Sequence, residues 1–285
     1  MCRADPPERP SPKCYCLPRP NYFPHKLRGL SDMRDQRFGR LSITRPVAAG
    51  LMLAATGAIA LSPGAASAAV TRPRPPKTIY AVTYTADSAL YRLNPRSHAE
   101  TLEGHAGIFL TDITFRRKVL YAISFTTLYR LNAATGARRR IGPLGLGGAN
   151  ALATQPRTNT LYGASHQGDL FTISTRTGRA SLIGTFGHRL GSAGDLTFAY
   201  GRLYATVSRP GSSRSFLATV SLRTGAARII GTTGYNKVWG LVTGSGALYG
   251  ATVSGNFLAI SPATGRARVI WRDGLPVSGL AAPSP

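Results

Sequence analysis

From Lys77 onward the apolar residues fall in short runs of four to seven, rich in Leu, Ile, Val, Tyr and Phe, and each run is cut off by Gly, Asn or Ser. No stretch sustains a 3.6-residue apolar period, so the pattern predicts strands joined by tight turns. One pair punctuates it. It recurs at Ile79-Tyr80, Leu120-Tyr121, Leu161-Tyr162, Leu203-Tyr204 and Leu248-Tyr249, at spacings of 41, 41, 42 and 45 residues.

Around each pair the same units repeat. A second apolar segment follows at Leu90–Leu93, Leu128–Leu131, Leu170–Ile173, Phe216–Val220 and Phe257–Ile260. A turn comes next at Thr135-Gly136, Thr177-Gly178, Thr224-Gly225 and Thr264-Gly265, degenerate in the first copy as Asn94-Pro95-Arg96-Ser97, and then a run ending near Ile-Gly. Four short strands per 40 to 45 residues is the period of a propeller blade, which buries its faces only by stacking on neighbours. The strand ahead of each pair, read as innermost, is Asp112–Phe115, Asn150–Ala153, Asp195–Phe198 and Trp239–Val242. The first copy lacks one. A leftover copy, Val277–Ala281, stands at the other end with no Leu-Tyr after it. The expected fold is therefore an all-β, five-bladed β-propeller with four-stranded blades, closed by a C-terminal strand that completes the N-terminal blade and leaves no open edge at the junction.

This unit, with its Leu-Tyr, Thr-Gly, Ile-Gly and Asp-Leu-x-Phe pieces, resembles the repeats of extracytoplasmic bacterial propellers of the YVTN and WD-repeat-like kind over residues 77–281. The resemblance implies the architecture and a role among binding platforms, assembly scaffolds and occasional enzymes. The Trp-Asp signature of the WD class is missing, and fold does not give function.

Ahead of the repeats, Val47–Ala69 is an apolar run that follows the basic segment Met33–Arg45 and closes on Ala66-Ser67-Ala68. That is the layout of a secretory signal peptide cleaved at Ala68/Ala69, and it predicts a secreted, extracytoplasmic protein. An uncleaved anchor is the rival reading, since the run nearly suffices to span a bilayer. The expected organisation is a disordered Pro/Arg-rich extension at 1–32, a signal peptide at 33–68, a linker at 69–76 and the propeller at 77–285. Residues 1–32 read as an extension upstream of a translation start at Met33, with a genuine Pro-rich tail as the alternative. Cys2, Cys14 and Cys16 all fall in that extension, so the ring holds without disulfides.

Charge changes the picture in one respect. After Ala69 there are 25 Lys plus Arg against 7 Asp plus Glu. A surplus of this size invites a polyanionic partner such as a wall polymer, acidic polysaccharide, anionic lipid or extracellular DNA. Part of it has a simpler reading: Arg138, Arg140, Arg179, Arg228, Arg266 and Arg268 follow the Thr-Gly turns, where charge on an outermost strand deters edge pairing. The triplets Arg116-Arg117-Lys118 and Arg138-Arg139-Arg140 have no interleaved aromatics, which argues against nucleic acid.

Strand direction puts the loops from strand four to the next strand one, and from strand two to strand three, on one face. The four-to-one loops carry His105 and Phe109; Phe186, His188 and Arg189; Tyr235, Lys237 and Trp239; and Trp271, Arg272 and Asp273. Of these, His105, Phe109, His188, Arg189, Tyr235, Lys237, Trp239, Trp271 and Arg272 are the candidate ligand-binding set, because aromatics and cations gathered at the mouth of a ring have the composition of binding surfaces. The competing reading makes Trp239 and Trp271 packing residues.

Catalytic signals are sparse. The ring has no Cys and no Gly-x-Ser-x-Gly, and His98, His105, His166 and His188 lack metal-ligand spacing, so no metal or cofactor is implied. Asp112 and Asp195, equivalent in two inner strands, are the only catalytic candidates; an Asp there also serves as a backbone hydrogen-bonding residue. The leading expectation is a secreted non-enzymatic binding or scaffold propeller for a carbohydrate, an anionic envelope polymer or a protein partner. The alternative is a polysaccharide-acting glycoside hydrolase using Asp112 and Asp195.

Overall fold

The structure, a computed structural model, describes residues 75–244, 247–272 and 274–283. The N-terminal extension, its cysteines, the candidate signal segment and Asp273 lie outside the described residues. Every regular element among them is a strand. In chain order, β1 (Ile79–Thr83), β2 (Ala89–Asn94) and β3 (Ala99–His105) open the ring, and β4 (Asp112–Arg116), β5 (Val119–Ile123), β6 (Thr127–Leu131) and β7 (Arg138–Pro143) form blade two. Blade three holds β8 (Ala149–Thr154), β9 (Leu161–Ser165), β10 (Asp169–Ile173) and β11 (Ala180–Thr185). Blade four holds β12 (Gly191–Ala199), β13 (Arg202–Ser208), β14 (Arg214–Val220) and β15 (Ala227–Asn236). Blade five holds β16 (Val238–Gly244), β17 (Ala247–Thr252), β18 (Asn256–Ile260) and β19 (Ala267–Arg272), and β20 (Val277–Ala281) remains.

Each blade is a four-stranded antiparallel meander, and β20 pairs with β1 through Tyr80↔Ala281 and Ala81↔Leu280, completing blade one. The inner strands neighbour one another in the cycle β4, β8, β12, β16, β20 and back to β4. The orphan strand thus closes the ring as the repeat count requires, and no inner edge is left to recruit another chain.

The core is divided among the five interfaces between blades. Leu90 and Val82 of blade one meet Ile113 and Phe115 of blade two, for example, and Leu170 of blade three meets Leu196 and Val207 of blade four. The recurring tyrosines serve the same purpose: Tyr80 meets Phe115 at 5.3 Å between ring centroids, and Tyr162 meets Phe198 at 5.6 Å.

The Thr-Gly and Ile-Gly signatures explain each other. The turn glycines Gly136, Gly178, Gly225 and Gly265 have φ between 69° and 84°, a region L side chains avoid. The outer-strand glycines that meet them are Gly104, which follows Glu103, and the Ile-Gly glycines Gly142, Gly184 and Gly231. A Cβ on any of them would sit 2.1 Å from the carbonyl oxygen of Thr135, Thr177, Thr224 or Thr264 in the next blade. The two dipeptides are therefore halves of one backbone-to-backbone lock, repeated at four interfaces.

The fifth interface is built differently. Trp271 stands where the lock would place glycine, since Phe257 pairs with it as Leu217 pairs with Gly231. Blade one has no Thr-Gly turn to receive it; instead His98, at φ 58°, stacks on the indole with centroids 5.3 Å apart and planes 5° apart.

Candidate functional site

The axial channel has an upper mouth and a lower mouth with a buried level between them. The upper mouth is a cavity of about 330 Å³, the size of a small-ligand site. One wall is an arc of rings: Trp239 meets Tyr84 at 4.8 Å, Tyr84 meets Phe109 at 5.1 Å, Phe109 meets Phe125 at 5.7 Å, and Phe125 meets His166 at 6.4 Å. Tyr84 and Phe125 remain 50% and 44% exposed, so the arc presents apolar faces to whatever enters. The lining also includes Ser192, Ser208, Ser212 and Ser213; the Ser192 and Ser212 hydroxyls accept the N–H groups of Gly194 and Arg214, each at 3.2 Å.

Local structure fixes this wall. Gly194 passes so close to Trp239 that a Cβ would come within 2.9 Å of its Cα, Cβ and Cδ1. Lys237, at φ 49°, carries its ammonium 5.8 Å above the Trp239 ring, and its N–H donates to the Ser213 carbonyl at 2.9 Å. Asn150 donates through Nδ2 to the Ser192 carbonyl at 3.0 Å, which leaves Oδ1 buried with no partner among the described residues.

Of the nine candidate ligand-binding residues, the structure brings Phe109, Lys237 and Trp239 together at the mouth. Arg189 lies in an adjoining groove that shares His166, Ser208, Ser212 and Ser213 with it. The others go elsewhere. Trp271 is 8% exposed, held in the seam lock against His98 and Phe257. Tyr235 packs on the core between blades four and five. His105 Nδ1 lies 3.3 Å from Asp87 Oδ2, Arg272 donates to Asn256 Oδ1 at 3.1 Å, and His188 is exposed without lining the mouth. Phe186, on the same loop as His188, is buried in the core.

Tyr84, Phe125 and His166 are aromatic-ring residues of the mouth outside the sequence-based candidates, and Asn150 and the four serines lie outside them too. The three ring-bearing residues sit in loops between the second and third strands of their blades, on the same face as the four-to-one loops. Strand direction places the second-to-third loops on the same face as Trp239, and that is the signal in the sequence that points to them.

Asp112 and Asp195 are fully buried and hydrogen-bonded to each other on the axis. Asp112 accepts the backbone N–H of Ile113 at 2.7 Å and of Leu152 at 2.6 Å. Asp195 accepts those of Leu196 at 2.6 Å, Leu241 at 2.5 Å and Leu280 at 3.4 Å. The five donors are equivalent positions in the five inner strands, so the pair ties every blade to the axis. Gly279 makes the room, since a Cβ there would lie 2.2 Å from Asp112 Oδ1. Burial holds both carboxyls well above the ordinary 3.8, and the neighbouring carboxyl adds to the effect at Asp112. Two carboxyls bonded to each other hold a proton between them and titrate as a pair; the three N–H bonds accepted by Asp195, against two at Asp112, favour the negative charge on Asp195.

Glycoside hydrolysis needs two carboxyl groups roughly 5 Å or more apart, flanking the scissile bond. Asp112 and Asp195 touch, are sealed from solvent and have their oxygens committed to backbone donors, so they do not supply that arrangement. Among the described residues no group of three or more His, Cys, Asp or Glu is gathered to hold a metal ion.

No family model matches the chain, and no curated protein matches its sequence. Its fold is similar to a chain in the crystal structure of a nidogen/laminin complex, at 11% identity over 72% of this chain and 97% of that one, with a TM-score of 0.51. It is also similar to a structural genomics protein of unknown function from Bacteroides thetaiotaomicron VPI-5482, at 17% identity over 71% of this chain and 59% of that one, TM-score 0.47. An auxiliary nutrient binding protein from the same organism gives 12% identity over 68% of this chain and 54% of that one, TM-score 0.46. The likeness is one of fold: this chain shares the architecture of β-propeller repeat proteins.

Proposed function

We propose that the chain is an exported, non-enzymatic binding propeller that takes a carbohydrate at its upper mouth. Export rests on the basic, apolar and small-residue segments that precede the ring. The observation that carries the ligand class is the aromatic arc and the serine residues that line one cavity with it. Pyranose rings offer an apolar face of C–H groups to aromatic planes and a polar edge of hydroxyls, and the mouth has residues of both kinds.

The test is a glycan array followed by calorimetric titration of the best binder, at low and at physiological salt. Tyr84→Ala combined with Trp239→Ala is expected to weaken binding by at least about thirtyfold, the loss of a desolvated aromatic hot spot. Unchanged affinity in a double variant of unchanged melting temperature would overturn the assignment. So would wild-type binding that collapses between the two salt concentrations, which is the behaviour of bulk charge alone.

A further inference from the structure

The groove beside the upper mouth carries the opposite chemistry to the aromatic arc. It has a volume of about 650 Å³ and is lined by Arg189 and Arg209, with His166, Ser208, Ser212 and Ser213 common to both cavities. Neither arginine has an ion-pair partner among the described residues, and no Asp or Glu lines the mouth or the groove. Unpaired guanidinium groups at the rim of an outer strand are expected solvation and edge protection. Two of them beside a cavity, on loops that are held in place, are not accounted for in that way.

Both loops are held. Arg189 stands between the buried anchors Phe186 and Leu190, which are 1% and 4% exposed. The loop folds back through Leu190 N–H to the Gly187 carbonyl at 2.9 Å, and Phe186 N–H donates to the Gly168 carbonyl at 2.7 Å. Its underside rests on the loop bearing His166: a Cβ on Gly168 would meet the Leu190 carbonyl oxygen at 2.0 Å, and one on Gly191 would meet the His166 carbonyl oxygen at 2.1 Å. Arg209 lies over the Phe216 ring at 5.2 Å, and its carbonyl accepts the Ser212 N–H at 3.1 Å. The backbone of both loops and the Arg209 side chain are thus placed before an anion binds, which lowers the ordering cost of binding there.

Resting on the carbohydrate reading above, we infer that the ligand is an acidic glycan: a sugar ring lies against the aromatic arc while its anionic substituent, or that of the next residue, enters the groove between Arg189 and Arg209. A carboxylate and a phosphate both match the planar donor fork of arginine. The bearer of the anion is therefore either a hexuronate chain or a sugar-substituted polyol phosphate.

Three probes separate these sources: a hexuronate tetrasaccharide, its carboxyl-reduced neutral counterpart, and a glycosylated polyol-phosphate oligomer, each titrated into the protein at physiological salt. One acidic probe is expected to bind about tenfold more tightly than the neutral one, the worth of a charge-assisted hydrogen bond. Arg189→Gln combined with Arg209→Gln should abolish that preference and leave neutral binding unchanged. Arg139→Gln with Arg140→Gln, which removes the same charge from the exposed outer strand β7, should leave the preference intact. A preference that survives the groove variant, or that falls equally in the outer-strand variant, overturns the inference while the carbohydrate reading stands. Failure of all three probes and of the glycan array overturns both.

Discussion

His98 and Trp271 stack across the seam between blades one and five, in the place where the other four interfaces lock a glycine against a Thr-Gly turn. The indole fills space that backbone fills elsewhere, and it packs on Phe257 and the core between the two blades. Trp271→Ala is expected to cost about 3–5 kcal/mol, the usual range for deleting a buried aromatic. Glycan affinity at the mouth should be unchanged. Urea unfolding and a ligand titration on the same variant check both halves.

The backbone lock predicts a sharp contrast between glycines. A methyl at Gly142 would meet the Thr177 carbonyl oxygen at 2.1 Å, whereas one at Gly145 has nothing within 4 Å and meets only the strain of φ 79°. Gly145→Ala should lose about 1–2 kcal/mol, from its left-handed backbone alone. Gly142→Ala should lose more, because the two strands of backbone cannot both stay where they are. Denaturant midpoints of the two variants decide it.

The axial acids predict an unusual pH dependence. A carboxyl raised in the folded state binds its proton more tightly there than in the unfolded chain, so between the ordinary value near 3.8 and the folded value the native state holds the extra proton. The contribution of this pair is complete below about pH 3.8 and is lost as the pH rises toward the folded value. That is the reverse of a salt-bridged aspartate. Asp112→Asn keeps a donor toward Asp195 but gives up one backbone acceptor, a loss of about 1–3 kcal/mol. It should also flatten the slope of stability against pH. Urea midpoints from about pH 4 to 8 for both proteins, compared as a difference, measure this; parallel curves would refute the shared proton.

The chain has two tryptophans, and they have been assigned to separate tasks. Trp271→Phe leaves Trp239 as a single reporter at the mouth. Glycan binding is expected to shift its emission with the same midpoint as calorimetry, while the converse Trp239→Phe protein, reporting from the seam, should stay silent.

Much of this architecture was legible because the repeat is written in backbone requirements. Leu-Tyr, or Ile-Tyr in the first copy, recurs in every blade, Thr-Gly and the outer-strand glycine recur because together they lock four of the five interfaces, and the orphan strand Val277–Ala281 showed where the ring closes. The site was less legible for two reasons. Trp271 falls in a loop-like stretch of sequence, and only its register opposite Phe257 reveals that it replaces a glycine. Tyr84, Phe125 and His166 come from three blades and share nothing in sequence except their place after a second strand. Asp112 and Asp195, 83 positions apart, carry no sign that they touch; that follows from ring geometry, which sequence spacing does not encode.

The level occupied by those two acids also bears on how such a ring can arise from copies of one unit. At the corresponding position the other three blades have Ala151, Gly240 and Gly279. Five aspartates there would crowd five carboxyls into a space that closes around two, and five glycines would leave five N–H donors facing one another with no acceptor. Five identical copies carrying either Asp or Gly would therefore leave crowded acids or unpaired donors at the centre. The divergence of the copies at this one position resolves that conflict, and a consensus redesign of this protein that keeps Asp or Gly there would have to break its own symmetry first.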